Sequence, residues 1–246
     1  MAVASQRLKP THREGPVSLW RIQPARATMA RLSNGVTQPR RYRGVTPEER
    51  QKRRREQLLD AGLELFGTVG YGHTSVRAIC QEASLNQRYF YESFDSREDL
   101  LEAVYLRVIA ELNQTALLAA MEAEGLEQKA RAGLSAWWSV ITGDARKARI
   151  VGVELVGASE RLKTLQRNAR SAMAEFLIAE YTVATGSRDL AGARLDPVLT
   201  ARSLVGAIVE LLMGYMGGEI DKSIDEIVEH CIGLFTATAR MAGKGV

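Results

Sequence analysis

The sequence predicts an all-α protein in which three short helices near the N-terminus precede a larger C-terminal helical domain. Hydrophobic residues make up 46% of the 246, few of them alternate as strands require, and Ala, Leu, Glu and Arg are abundant; that composition favours helices. Residues 74–94 read as two short helices joined by a tight turn. Near the C-terminus, Ile224, Ile227, Val228, Cys231, Phe235 and Thr238 recur at i, i+3, i+4, i+7, i+11 and i+14, the apolar stripe of an amphipathic helix. The chain is long enough to bury a substantial core. Composition and punctuation divide it into an arm (1–45), a helix-turn-helix unit (46–95) and a second helical domain (96–243).

Residues 1–45 hold four of the six prolines and no sustained apolar period, which predicts a basic arm without a fold of its own. Up to residue 47 there are nine Lys/Arg against Glu14 alone, leaving 24 basic and 28 acidic residues for the remainder. The net charge of +4 therefore resides in the arm, a pattern suited to phosphate or minor-groove contact. Met29 is an alternative start, and Arg40-Arg41-Tyr42-Arg43 belongs to the chain either way. Thr46-Pro47-Glu48-Glu49 then opens the first helix with a capping threonine, a proline at the first helical position and a glutamate three residues on. Leu59, Leu63 and Phe66 mark its buried face, and the glycines of 67–72 end it. Lys52, Arg53, Arg54 and Arg55 lie in its early turns, either as a solvated face or, beside a DNA reader, as contacts to the nucleic-acid backbone.

In the next helix Thr74 is the candidate N-cap, with Val76, Ile79 and Cys80 on one face. Ala83, Ser84 and Leu85 form the turn, Asn86 caps the following helix, and Phe90 and Phe94 share an inward face. Gln87, Arg88, Tyr89 and Tyr91 are left as its polar side. Arginine can donate twice to guanine and glutamine can pair with adenine, so Gln87 and Arg88 are the base-edge candidates. Such a pair suits insertion into a major groove, although periodicity alone is met equally by any small helical hairpin.

Ser96-Arg97-Glu98-Asp99 opens another helix, continued by Leu101, Val104, Tyr105 and Val108 to about Met121. Three helices follow at roughly 126–141, 145–156 and 160–185, separated at Gly125, at Gly143-Asp144 and at 157–159. Tyr105, Met121, Trp137, Trp138, Phe176 and Tyr181 are candidate pocket walls, with ordinary core packing the alternative for each. Glu154 shares a face with Lys147 and Arg161 at seven-residue spacing, as a solvated stripe would. After a loop at 186–196, Asp196-Pro197 caps a helix carrying Leu204, Ile208, Leu211 and Tyr215, and Ser223 with Glu226 caps the last one. Two long apolar helices make half of a four-helix bundle. They predict a two-fold homodimer through Leu204, Ile208, Leu211, Tyr215, Ile227, Cys231 and Phe235, with burial against their own chain the alternative.

Three segments carry a resemblance: 66–76 (Phe-Gly-Thr-Val-Gly-Tyr-Gly-His-Thr-Ser-Val), Ala83-Ser84-Leu85-Asn86, and 89–100 (Tyr-Phe-Tyr-Glu-Ser-Phe-Asp-Ser-Arg-Glu-Asp-Leu). From about residue 50 to 101, in order and without gaps, the chain resembles the TetR-type (tetracycline-repressor-like) regulators; beyond Tyr105 the likeness is architectural. The resemblance implies that the C-terminal domain binds a ligand and dimerises. It places Tyr91 at a phosphate-contacting tyrosine, Arg97 where a lysine usually binds phosphate, and Thr74 at a threonine that touches the DNA backbone. Tyr89 falls where a smaller residue is common, Ser84 replaces the usual turn glycine, and Ser93 replaces a frequent histidine. The helix from Arg97 would connect reader to effector domain. The implied partners are a double-stranded DNA operator, a second copy of the chain and a small apolar or amphipathic effector. Repression is the family's commoner outcome; activation, or a ligand or adaptor module that has lost DNA binding, is the alternative.

An enzyme is not expected, because Gly-rich phosphate loops, a Gly-x-Ser-x-Gly elbow, a His-Glu-x-x-His pair and paired-cysteine metal sites are all absent from the sequence. His12, His73 and His230 form no metal-ligand cluster, no cofactor is implied, and Cys80 and Cys231, far apart in helical patterns, suit a reduced compartment. The N-terminus lacks the continuous apolar core of a secretory signal. The apolar stretch 203–218 contains Glu210 and falls short of the run of about 18 that a membrane span needs, so a cytoplasmic location away from the membrane is expected. Deleting residues 1–45 should weaken DNA binding and flatten its dependence on salt in a titration across ionic strengths; an unchanged slope would remove the arm from the interface.

Overall fold

Helix α1 (Pro47–Thr68) begins as its sequence demands. The Glu49 N–H donates to Thr46 Oγ1 at 3.1 Å and the Thr46 N–H donates to Glu49 Oε2 at 2.7 Å, a reciprocal capping box with Pro47 just inside. The computed structural model describes residues 46–152, 159–185 and 195–243. Among them α1 is followed by a 3-10 turn (Tyr71–His73), α2 (Val76–Glu82), α3 (Gln87–Tyr91), α4 (Arg97–Met121), α5 (Leu126–Thr142), α6 (Ala145–Gly152), α7 (Glu160–Thr185), α8 (Pro197–Met216) and α9 (Ile224–Gly243). No strand occurs among the described residues, in keeping with the all-α expectation. The arm (1–45), residues 153–158 with Glu154, and most of the 186–196 loop lie outside them.

Leu58, Phe66, Ile79, Phe90, Leu100 and Val104 are completely buried, joining α1 to α4 in one apolar core. Gly62 lets α1 cross α4 closely, since a Cβ there would sit 3.0 Å from Val104 Cγ2 and 3.2 Å from the Leu100 side chain. The same core continues through Trp138 and Ile141 of α5, Ile150 of α6, Leu162 of α7, Leu212 of α8 and Ile232 of α9. A second cluster, Ala174 and Ile178 with Ala201 and Val205, seals α7 against α8. Helix α9 carries its own box, with the Ser223 N–H donating to Glu226 Oε2 at 2.9 Å and the Glu226 N–H to Ser223 Oγ at 3.2 Å. The Ser223 N–H first, then Lys222 Nζ and the Ser223 hydroxyl, all donating to the Glu226 carboxylate, hold it down at about 2.

Two expectations are corrected. The N-cap of α2 is Ser75, whose Oγ accepts from the Ala78 N–H at 3.1 Å, and not Thr74. Helix α8 is also long and apolar enough, by length and composition, to cross a membrane. It starts at Pro197 behind the Asp196 cap, as expected, so the helix extends beyond the apolar stretch 203–218 at its N-terminal end and takes in Arg202 as well as Glu210. Within the chain it packs on α6, α7 and α9.

The end of α1 is seated against α6. A Cβ on Gly67 would fall 2.4 Å from Arg146 Cβ and 2.7 Å from its Cα. Arg146 is pinned there, its Nη1 donating to Glu64 Oε2 at 2.6 Å and its Nη2 to Asp144 Oδ2 at 2.8 Å. The same arginine lowers the Asp144 carboxyl, chiefly by its hydrogen bond. Arg149 Nη1 donates to the Thr68 carbonyl at 2.6 Å, satisfying one of the helix-end acceptors that α1 leaves open. Because backbone and not a flexible side-chain tip opposes Gly67, Gly67→Ala should cost about 1–3 kcal/mol, the usual penalty for overpacking. Thermal unfolding reads this as a lower midpoint, and an unchanged midpoint would mean that α1 and α6 do not approach this closely.

Candidate nucleic-acid interface

The orientation of α3 follows from its apolar residues. Asn86 caps it, Oδ1 accepting from the Tyr89 N–H at 3.3 Å. Phe90 is wholly buried and meets the rings of Tyr91 at 5.3 Å and Phe94 at 6.0 Å. With Phe90 fixed inward, the helical turn carries Gln87, Arg88 and Tyr91 outward. The Arg88 side chain is 82% exposed and Tyr91 is 57% exposed. The preceding turn is tight: the Leu85 N–H reaches the Cys80 carbonyl at 2.9 Å, and Ser84 adopts φ 54°. That left-handed conformation is the one glycine adopts without cost, which accounts for glycine being usual where Ser84 stands.

The basic run on α1 divides in two. Lys52 and Arg53 face solvent on the same helix. Arg54 instead folds back over the Tyr89 ring at 4.4 Å and reaches Glu92 Oε2 at 3.5 Å. Arg55 covers the Phe94 ring at 4.2 Å while its Nη1 donates to the Ser93 carbonyl at 3.0 Å, closing an acceptor at the end of α3. Arg54 is thus already engaged within the chain, and Tyr89, half-buried beneath it, is a packing surface in this arrangement.

Two further candidates make contacts within the chain. Thr74 is 2% exposed, and its hydroxyl donates to the Gly70 carbonyl at 2.8 Å, so its side chain is enclosed by the chain itself. Arg97 is partly buried: its Nη1 donates to the carbonyls of Tyr71, at 3.2 Å, and of Thr74, and its guanidinium lies 4.9 Å from the Tyr71 ring centre. It braces the loop ahead of α2. Ser75 and Glu92 escaped the sequence reading as site residues. The four-residue spacing of Arg88 and Glu92 was a visible signal, whereas the folding back of Arg54 and Arg55 depends on tertiary placement that no local pattern records.

The pocket candidates do not gather into one site. Tyr105 and Trp138 are buried in the main core, with Trp137 half-buried beside them and Trp138 making edge contacts with Trp137 and Tyr215, each at 6.1 Å. Burial pushes the Tyr105 hydroxyl up to about 12, opposed weakly by Arg170. Trp138 Nε1 is buried without a hydrogen-bond partner. Tyr181 lines a separate apolar groove with Leu177, Pro197, Leu204 and Phe235 among others, and Phe176 is half-buried on the same helix. Met121, at the end of α4, is 71% exposed and does not line that groove.

Of the subunit-contact candidates, Ile227 and Cys231 are enclosed in the chain's own core, which corrects them. Burial also raises the Cys231 thiol. Ile208, Leu211 and Tyr215 pack partly against that core, while Leu204 and Phe235 border the groove. The apolar stripe read from the sequence is therefore the inner face of α9. Leu199 and Leu234 are among the large apolar side chains left outside.

Comparison with known proteins agrees with this geometry. Residues 58–104, from the middle of α1 into α4, match the family model "Bacterial regulatory proteins, tetR family". The HTH-type transcriptional regulator TcmR of Streptomyces glaucescens is 28% identical over 155 residues, a match spanning 63% of this chain and 62% of that relative; the alignment thus covers about three fifths of the relative's length. The fatty acid degradation regulator FadR from Bacillus halodurans superposes with a TM-score of 0.65 at 16% identity, covering 74% of this chain and 94% of that one. FadR from Bacillus subtilis, solved in complex with stearoyl-CoA, gives 0.60 at 18% identity over 78% and 98%. Identities this low establish the shared fold alone. The helix-turn-helix segment thus matches the tetR family model in sequence, and the helical order over about three quarters of the chain resembles solved regulators of that fold.

Proposed function

We propose that this chain is a sequence-specific DNA-binding transcriptional regulator, acting as a homodimeric repressor that a small ligand releases from its operator. The observation that carries the reading is the outward row of donors on α3, with Phe90 locked behind it. Gln87 and Arg88 supply base-edge donors, and Tyr91 with Lys52 and Arg53 supplies backbone contacts on either side. One such row reads too few bases to find a site in a genome, and a two-fold dimer doubles it.

Support for dimerisation comes from the outer faces of α8 and α9. Leu199, Ser203, Gly206 and Glu210 on α8, and His230, Gly233, Leu234 and Ala237 on α9, are exposed at helical spacing. A Cβ on Gly206 or Gly233 would meet nothing within 4 Å, so a partner helix can approach closely there. Four such helices, two from each copy, would complete a bundle, which also gives the apolar α8 a soluble role.

The effector is a small apolar or amphipathic molecule. The aromatic contacts of Trp138 with Trp137 and Tyr215 favour it, as does the unpaired Trp138 Nε1, a buried donor that gains free energy from any acceptor brought to it. The stearoyl-CoA of Bacillus subtilis FadR is an amphipathic ligand on the same fold. Release requires the ligand to bind tighter to the dimer spacing that does not fit DNA, by several kcal/mol for a near-complete shift.

Two outcomes are expected. Leu234→Arg should sediment as a monomer at micromolar concentration and lose operator binding in gel shift; a stable dimer would move the interface elsewhere. Gln87→Ala should lower discrimination between operator and random duplex by about 1–3 kcal/mol in competition titrations, with non-specific binding unchanged. Equal discrimination would remove Gln87 from base reading.

A further inference from the structure

We infer that Glu92 is a positioning residue for base recognition: it holds Arg88 with the end of its guanidinium presented to a guanine. This rests on the DNA-reading function proposed above and adds to it a residue that touches no base. Glu92 follows α3 directly and uses its two oxygens separately. Arg88 Nε donates to Oε1 at 3.1 Å, and Arg54 Nη2 stands 3.5 Å from Oε2. Arg54 is itself held by the Tyr89 ring beneath it, at 4.4 Å. The carboxylate is thus tied through α1 to the body of the domain.

An isolated pair four residues apart on a helix surface orders its partners weakly. Here the second arginine, anchored on another helix, fixes the acceptor before Arg88 arrives at it. With Nε occupied, the two terminal nitrogens of Arg88 remain outward, and these form the parallel pair of donors that guanine O6 and N7 accept. Side-on recognition through Nε is closed off. Glu92 also sets a negative charge beside the DNA-facing surface, which the two arginines offset; stripped of its orienting part it would only oppose binding.

The test is selection from randomised duplexes with the full chain, comparing wild type, Arg88→Ala, Glu92→Ala and Glu92→Gln, each also followed by thermal unfolding. Arg88→Ala identifies the base pair at which preference is lost. Glu92→Ala is expected to reduce preference at that same base pair by about fivefold to tenfold. Preference at other positions and the unfolding midpoint should stay as in wild type, and affinity for random duplex should not fall. Glu92→Gln, which keeps an acceptor for Nε, should fall between the two. Unchanged preference in Glu92→Ala would overturn the inference, as would tighter binding with preference intact, which would make Glu92 a competitor for Arg88. Preference lost evenly at all positions with a lowered midpoint would also overturn it, since that is a structural effect. If wild type enriches no sequence, the DNA-reading function itself fails, a result distinct from all of these.

Discussion

The burial of Phe90 is the contact on which the rest of the reader depends. Helix α3 is only five residues long, too short to hold its shape or its rotation by its own hydrogen bonds. What sets both is one aromatic ring buried in the apolar core that also holds Leu58, Phe66, Ile79 and Leu100, with Asn86 capping one end and Arg55 closing an acceptor beyond the other. Rotating the helix to bury Arg88 or Tyr91 would expose Phe90, and the loss of its apolar burial, about 2–3 kcal/mol, opposes that strongly in a domain of ordinary stability.

Helix α1 serves two masters. One side carries Gly62 against α4 and sends Arg54 and Arg55 over α3; its C-terminal end presses Gly67 onto Arg146 of α6. At the start of α7, Arg161 binds Asp99 at 2.7 Å and Glu102 at 2.5 Å on α4, and Ser159 bonds Glu98. The reader is therefore gripped from α6 and α7 as well as continued by α4. Any rearrangement around Trp138 and Tyr215 that displaces α6 has a stiff route to α1, because backbone meets backbone at Gly67 and no side chain there can absorb the shift.

Much of this was legible in the sequence wherever the signal was local. The capping residues Thr46, Asn86, Ser96, Asp196 and Ser223 each stand at the helix start they announce, and α7 runs over the predicted 160–185. Phe90 inward and Gln87 with Arg88 outward followed from helical spacing alone. Local reading failed where two neighbours were chemically alike: Thr74 and Ser75 are both good caps, and only the fold decides that Thr74 turns in to Gly70. It failed again where the direction of a stripe mattered. The i, i+3, i+4 pattern on α9 identifies an apolar face without telling whether the chain itself or a partner covers it, and Ile227 and Cys231 prove to be covered from within. The convergence of Arg54 and Arg88 on Glu92 needs α1 and α3 to be side by side, which no spacing in the chain encodes.

The most direct measurement is capture of genomic fragments by the purified full-length protein, followed by sequencing of what is bound. A paired groove reader should enrich fragments sharing an inverted repeat, its half-sites about one helical turn of DNA apart or a multiple of that. Recovery of fragments with no common sequence, or of a lone half-site with no symmetric mate, would contradict it.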